Sequence, residues 1–133
     1  MKALVTGASS GLGKEMAKIL SKQGIELVLV AREQEKLEEV QKELKTKTQI
    51  ICMDLSIAEN CVELYKQGGD IDILINNAGF GTFGNFTETD LITEINMINT
   101  NVCAVHLLTK LFLQDMCKKN SGYILNVASI AGF

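Results

Sequence analysis

Short apolar runs alternate with longer amphipathic segments along the whole chain. Runs of this length with little polar interruption are typical of strands buried on both faces of a sheet. The predicted strands are Lys2–Val5, Ile25–Val30, about Thr48–Met53, Ile71–Ile75 and Tyr123–Val127.

The segments between the first strands carry apolar residues at helical spacing. The apolar faces of the first three predicted helices are Leu12, Met16, Ile19 and Leu20, then Leu37, Val40 and Leu44, then Ala58, Cys61, Val62 and Tyr65. Gly24 suits the C-cap of the first helix. Ser56–Glu59 predicts a capping box at the start of the third helix. The glycine pair at 68–69 is expected to end that helix.

A longer helical pattern follows the fourth strand. Thr87–Asp90 can cap it, and it continues to about Lys119. The cluster Asn99-Thr100-Asn101 has poor helix propensity and predicts an interruption.

This order of elements predicts the fold class. Strands that alternate with helices form βαβ units and a parallel sheet. Because crossover connections are right-handed, few arrangements remain, and the doubly wound sheet is the commonest. We therefore expect an α/β fold of the Rossmann type, with about five strands in the order 3-2-1-4-5. No repeat or linker is visible, so residues 1–133 are predicted to form one domain.

Composition narrows the class of partner. The 133 residues contain 13 Lys and Arg against 16 Asp and Glu, a formal net charge of −3, and 47% are hydrophobic. These fractions exclude disorder, and the acidic balance argues against nucleic acid or an anionic membrane as partner. No apolar run approaches the ~18 residues of a membrane span. Four cysteines without a Cys-x-x-Cys pair predict reduced thiols, no metal site and a cytoplasmic protein.

A glycine-rich segment joins the first predicted strand to the first helix. In Thr6-Gly7-Ala8-Ser9-Ser10-Gly11-Leu12-Gly13, the missing side chains allow backbone to approach a pyrophosphate closely. Free N–H groups and the positive end of the helix dipole would face that anion. The alternative is a glycine-rich turn without a ligand, but the strand–turn–helix context favours dinucleotide binding.

The glycine spacing resembles the short-chain dehydrogenase/reductase family, whose fingerprint is Thr-Gly-x-x-x-Gly-x-Gly. Three further matches follow in order: Asn76-Asn77-Ala78-Gly79 after the fourth strand, Asn101 on the long helix and Ser129 after the fifth strand. The resemblance covers the whole chain and implies hydride transfer between a nicotinamide cofactor and a carbonyl or alcohol carbon. It implies catalytic roles for Asn101 and Ser129, and cofactor contacts at Gly7, Ser9, Ser10, Gly11, Leu12, Gly13, Asp54, Leu55, Asn77, Ala78 and Gly79.

Each implied role has a physical basis. Ser129 would orient and polarise the substrate oxygen, and Asn101 would support a proton relay. Asp54 is implied to read the adenine amino group, whereas the alternative is a turn residue that precedes a helix. Asn76 and Asn77 can tie neighbouring loops together by amide hydrogen bonds at the carboxyl edge of the sheet.

The end of the second strand bears on the choice of nicotinamide cofactor. An acid about 20 residues beyond the glycines would bind the ribose 2′-hydroxyl of NAD. Arg32 lies there instead, and an arginine suits the 2′-phosphate of NADP through bidentate hydrogen bonds. NADP(H) is therefore favoured over NAD(H), with Glu33 as the competing residue because a small backbone shift could aim it at the 2′-hydroxyl.

Two aromatic features leave alternatives open. Phe80, Phe83 and Phe86 could line an apolar substrate pocket, or they could pack the loop onto the sheet. His106 lies in an apolar run, which favours a partly buried structural histidine over a catalytic one.

The family's acid/base pair is missing from this sequence. The family uses a tyrosine downstream of the serine, with a lysine four residues later that lowers the tyrosine pKa. Here Tyr65 and Tyr123 are followed at that distance by Gly69 and Val127. We therefore expect this chain to be a fragment, truncated after the fifth strand, or the product of a split gene. The substrate of the parent enzyme is expected to be a small carbonyl or alcohol compound, and this chain alone is expected to be inactive on it.

The alternative is a non-catalytic dinucleotide-binding subunit that needs a partner chain. An epimerase or dehydratase of the nucleotide-sugar group fits the glycine spacing less well. The parent enzyme is expected to be a homo-oligomer, and the apolar edge left by the fifth strand predicts self-association of this chain.

Overall fold

A computed structural model describes residues 1–129. Its strands are β1 (Lys2–Thr6), β2 (Glu26–Ala31), β3 (Thr48–Cys52), β4 (Ile73–Asn76) and β5 (Tyr123–Asn126). Its helices are α1 (Gly11–Lys22), α2 (Gln34–Lys42), α3 (Ala58–Gly68), α4 (Leu91–Ile98) and α5 (Ala104–Lys118). A π-helical turn (Asn99–Cys103) joins α4 to α5, so the predicted interruption is present, but the helix continues through it.

The strands form one parallel sheet in the order β3-β2-β1-β4-β5, which confirms the predicted α/β topology. Alternate side chains of the central strand enter two cores. Leu4 packs with Leu64 and Phe112 of α3 and α5, whereas Ala3 and Val5 pack with residues of α1 and α2. The central strands are therefore covered on both faces, and the carboxyl ends of the strands meet at one edge of the sheet.

Helix α1 packs against the sheet through only half of its predicted apolar face, because Met16 and Leu20 contact the core and Leu12 and Ile19 do not. Its buried residues are Gly13, Ala17 and Ser21, whereas Leu12 and Ile19 are exposed. Small residues let the helix axis approach the strands closely, and this requirement outweighs the burial of larger side chains here. The predicted glycine cap is confirmed, because the N–H groups of Gly24 and Ile25 bond to Ser21 and Leu20 in a Schellman arrangement.

The predicted capping box of α3 is wrong, and its predicted apolar face is right only for Cys61, which is buried, and Tyr65, which packs against the core. The helix begins at Ala58 without a side-chain cap, so Ser56 and Glu59 form no capping box. The N–H of Ser56 is instead bonded to the Asp54 carboxylate at 2.9 Å. The buried face is Cys61, Leu64 and Gly68, with Val62 and Ala58 exposed.

Candidate functional site

The glycine turn lies between the carboxyl end of β1 and the start of α1. Gly7 and Gly11 have φ of +64° and +54°, a conformation that side-chain-bearing residues rarely adopt. Ser10 occupies the N-cap without a side-chain hydrogen bond, and the first turn of α1 carries no acidic residue. The first N–H groups of the helix are therefore not capped by a side chain, and the dipole there is not offset by a local carboxylate.

Gly13 allows the turn to pack against the loop after β4. A Cβ at Gly13 would lie 2.3 Å from Gly7 O and 2.5 Å from Asn77 Nδ2. A Cβ at Gly7 would lie 2.9 Å from Ala78 Cα. The two loops thus approach at backbone distance, which only glycine permits at these positions.

Thr6 and Asn77 join the same two loops by hydrogen bonds. The hydroxyl of Thr6 accepts from the N–H groups of Asn77 and Ala78, each at 2.9 Å. The amide Nδ2 of Asn77 donates to the carbonyl oxygens of Thr6 and Gly7 at 3.1 Å. Asn76, which is buried, donates to Asn126 Oδ1 at 2.8 Å and thereby ties β4 to β5. The predicted loop-tying role is confirmed for Asn77, whereas Asn76 joins strands. Thr6 was noted only as the first residue of the fingerprint, and its hydrogen-bonding role was missed.

A cavity of about 370 Å³ opens at this edge of the sheet. Its wall is formed by Gly7, Ser9, Ser10, Leu12, Val30, Ala31, Arg32, Glu33, Met53, Asp54, Leu55, Asn77, Ala78, Gly79, Phe80 and Thr100. Of the residues expected to contact a cofactor, Gly11 and Gly13 do not line it, and they instead set the shape of the turn. The topology thus brings the ends of β1, β2, β3 and β4 to one concave surface of a size usual for small-molecule sites.

The two charged residues after β2 differ in their interaction partners. Glu33 pairs with Lys36, with 2.9 Å between Oε2 and Nζ. Arg32 makes no ion pair within residues 1–129, and its guanidinium carbon lies over the Phe80 ring, 5.9 Å from the centroid. The arginine charge therefore remains available at the cavity wall, whereas the glutamate charge is partly offset by its lysine.

Asp54 takes the turn role that the sequence left as an alternative. Its Oδ1 accepts from the Ser56 N–H, and its carbonyl oxygen accepts from Asn60 Nδ2 at 2.8 Å. The residue also lines the cavity. Contact with adenine stays a prediction.

Asn101 lies in the π-helical turn, and its side chain forms two hydrogen bonds with the backbone of Phe80. Its Oδ1 accepts from Phe80 N–H at 3.0 Å, and its Nδ2 donates to Phe80 O at 2.8 Å. A Cβ at Gly79 would lie 2.9 Å from the same Oδ1. Asn101 does not line the cavity, but its neighbour Thr100 does. Ser129 follows β5 on the carboxyl edge of the sheet, and its catalytic role also stays a prediction.

The aromatic loop and the single histidine depart from the expectations. Phe80 lines the cavity, but Phe83 and Phe86 are 94% and 84% exposed, so the loop is not packed onto the sheet through them. His106 is exposed on α5, so its prediction as a partly buried structural residue is wrong. The period of the helix turns this side chain away from the face that buries Leu108 and Phe112.

Neither tyrosine of the chain is suited to acid/base chemistry at this site. Tyr65 donates its hydroxyl proton to Asp115 and meets the Phe112 ring edge-on. That hydrogen bond raises the pKa of Tyr65, the opposite of what a general base near neutral pH needs. Tyr123 begins β5, at the amino end of the sheet and away from the cavity.

The described part of the chain contains neither a metal-ion cluster nor a membrane-spanning helix. Across residues 1–129, no three His, Cys, Asp or Glu side chains are grouped so that they could hold a metal ion. None of the helices there has the length and apolar character needed to cross a membrane.

Comparison with known proteins gives consistent matches. A family model described as short chain dehydrogenase matches residues 1–133. An uncharacterised oxidoreductase of Staphylococcus epidermidis is 35% identical, over 98% of this chain and 59% of its own length. The NADP-dependent 3-hydroxy acid dehydrogenase of Schizosaccharomyces pombe is 39% identical, over 97% of this chain and 54% of its own length.

Solved structures give the same result. A metagenomic short-chain oxidoreductase in complex with NADP superposes with a TM-score of 0.89 at 33% identity, covering 100% of this chain and 63% of that one. The chain thus spans between half and two thirds of the length of these relatives.

Proposed function

Because this chain belongs to the short-chain dehydrogenase family, we propose that it forms the cofactor-binding part of an NADP(H)-dependent oxidoreductase. The parent reaction would transfer a hydride between the nicotinamide and a carbonyl or alcohol carbon of a small molecule. The observation that carries the proposal is one cavity wall that includes both the turn of Gly7, Ser9 and Ser10 and the available cation of Arg32.

The glycine turn fits a pyrophosphate. No atom lies within 4 Å of the position that a Cβ would occupy at Gly11, so the backbone there is open on that side. The N–H groups at the start of α1 lack a side-chain cap and can donate to an anion. A turn that served only to pack α1 would gain from an N-cap hydrogen bond, which Ser10 does not make.

The state of the two charges after β2 supports NADP(H) over NAD(H). A 2′-phosphate needs an available cation, and a 2′-hydroxyl needs an available acceptor. Arg32 keeps its charge, whereas Glu33 is already paired with Lys36. The relative from Schizosaccharomyces pombe is described as NADP-dependent, and the metagenomic structure contains NADP. Both agree with this choice.

The chemistry divides between the cofactor and residues of the parent enzyme. A bound nicotinamide would supply or accept the hydride, and Ser129 would orient the substrate oxygen. Asn101 would hold the Phe80 backbone in place, while a proton relay through it stays a prediction. No Tyr-x-x-x-Lys occurs in the 133 residues, so we propose that this chain binds the cofactor without turnover. A cytoplasmic location and a homo-oligomeric parent remain predictions.

Isothermal titration of the 133-residue chain with NADPH and NADH tests the proposal. A charge-assisted arginine–phosphate contact is worth about 1.5–3 kcal/mol, so NADPH should bind roughly ten- to 150-fold more tightly. Arg32→Ala should remove that preference without weakening NADH binding. Arg32→Lys is the matched control, and it should keep part of the preference because it keeps the charge but loses the bidentate geometry.

Three results would each contradict part of the proposal. Tighter binding of NADH would refute the cofactor choice, and no heat with either nucleotide would refute dinucleotide binding. Turnover of a panel of carbonyl compounds by this chain alone would refute the separation of binding from catalysis.

A further inference from the structure

The contact between Arg32 and Phe80 connects two separate elements of the cavity wall. Arg32 follows β2, and Phe80 lies in the loop after β4. The guanidinium carbon lies 5.9 Å from the ring centroid, within the range of a cation–π interaction. Both residues line the cavity, so the contact faces the space that a ligand would enter.

The backbone of Phe80 is held from both sides. Asn101 binds both the N–H and the carbonyl oxygen of Phe80. Ala78, two residues earlier, is bonded through its N–H to the Thr6 hydroxyl. The ring is therefore attached to a segment fixed to β1 and to the π-helical turn, whereas Arg32 is an exposed and flexible side chain.

An aromatic partner differs from a carboxylate in its effect on the arginine. A carboxylate would neutralise the guanidinium charge and occupy its N–H donors, and it would compete with any incoming phosphate. A ring attracts the cation through its quadrupole and carries no net charge, so the full charge remains available. Holding the side chain before a ligand arrives also reduces the conformational entropy lost on binding.

We propose that Phe80 is a positioning residue for cofactor selectivity, which acts by holding Arg32 at the cavity wall for the 2′-phosphate. This inference rests on the proposed preference for NADP(H) and names the residue that supports it. The partner chemistry is a 2′-phosphorylated adenosine, and the nicotinamide end of the cofactor takes no part.

The test compares two probes that differ only in the 2′-phosphate, adenosine 2′,5′-bisphosphate and adenosine 5′-monophosphate. Titration of the 133-residue chain gives a ratio of dissociation constants that isolates the contribution of that group. Phe80→Leu, which keeps apolar bulk without a ring, should weaken the bisphosphate about two- to fivefold and leave the monophosphate unchanged. Phe80→Tyr keeps the ring and should retain the wild-type ratio.

Two further variants separate positioning from a structural role. Phe83→Leu changes an exposed ring of the same loop and should leave both constants unchanged. In an Arg32→Ala background, Phe80→Leu should no longer change the ratio, because its effect requires the arginine. Circular dichroism of each variant checks that the fold is intact.

The outcomes distinguish this inference from the proposed function. If the wild-type chain binds both probes equally, the preference for NADP(H) fails. If the wild type prefers the bisphosphate and Phe80→Leu keeps the full preference, only the role of Phe80 is overturned. Equal weakening of both probes by Phe80→Leu would also overturn it, since a general distortion of the site would then explain the effect.

Discussion

Replacing Gly13 with alanine tests the close packing between the glycine turn and the loop after β4. Gly13 is buried in the first turn of α1. Helix propensity alone makes alanine the better residue there by about 1 kcal/mol. Packing predicts the opposite sign, because the new Cβ would lie 2.3 Å from Gly7 O and 2.5 Å from Asn77 Nδ2.

The expected magnitude follows from these two contacts. Overpacking against atoms that cannot move freely costs about 1–3 kcal/mol. Displacing Asn77 also disturbs its amide bonds to the carbonyl oxygens of Thr6 and Gly7, each worth about 1 kcal/mol. If both bonds are lost and the gain in helix propensity is subtracted, we expect Gly13→Ala to lower the free energy of unfolding by roughly 2–4 kcal/mol.

Urea unfolding followed by circular dichroism measures this difference, with Gly11 as the matched position. Gly11 has φ of +54°, and no atom lies within 4 Å of the position that a methyl group would take there. Gly11→Ala should therefore lower the free energy of unfolding only through the strain of a left-handed conformation, by about 1–2 kcal/mol. Gly11→Asn should lower it less, because asparagine tolerates that conformation better. At position 13 no side chain should recover stability. A Gly13→Ala variant as stable as the wild type, or more stable, would refute the packing argument.

Three further predictions concern other parts of the chain. The pKa of Asp72 is lowered chiefly by the Lys2 N–H, with Lys119 adding to it. This stabilisation is present above the unfolded-state pKa and is lost as the pH falls through the folded-state value. The difference in urea midpoint between the wild type and Asp72→Asn should therefore shrink from about pH 7 to about pH 2, and a constant difference would contradict this. Burial, with the Cys103 thiol adding to it, raises the pKa of Cys61 to about 11. Iodoacetamide should label the exposed Cys52, Cys103 and Cys117 first, and early labelling of Cys61 in peptide mass spectra would count against its burial. Strand β5 lies at the edge of the sheet and exposes Tyr123 and Leu125, which predicts self-association of the chain through this strand. Leu125→Lys should therefore shift the sedimentation coefficient toward that of the monomer. An unchanged sedimentation coefficient would contradict a contact through β5.

The strands and the glycine turn could be predicted because local sequence determines both. Buried parallel strands need continuous apolar residues, and the runs around Leu4, Val28 and Leu74 supply them. The left-handed backbone at Gly7 and Gly11 needs glycine, so it is visible in the sequence. The handedness of the crossovers left few strand orders, and the commonest of them, the doubly wound sheet, is the one that forms.

The faces of the helices depended on tertiary contacts that no local pattern encodes. Helix α1 buries Ala17 and Ser21 while it exposes Ile19, because the distance to the sheet favours small side chains there. Ser56 and Glu59 form no capping box because α3 begins at Ala58, with Ile57 as its N-cap. The Asp54 carboxylate also accepts the Ser56 N–H that the Glu59 side chain would bind in a capping box. The contact between Arg32 and Phe80 joins residues 48 positions apart, so only the folded chain reveals it.

The threonine before the glycine turn explains how two separate loops form one cavity wall. The Thr6 hydroxyl is buried and donates to Ile75 O at 3.4 Å while it accepts from two N–H groups of the loop after β4. One donor and two acceptor sites are all that a hydroxyl has, so its capacity is fully used. Valine has nearly the same shape but would leave both partly buried N–H groups without this acceptor, at a cost of about 1 kcal/mol for each group. The position of Ala78, and through the adjoining residues that of Phe80, therefore depends on the Thr6 side chain, which joins the end of β1 to β4 and to the loop that follows β4.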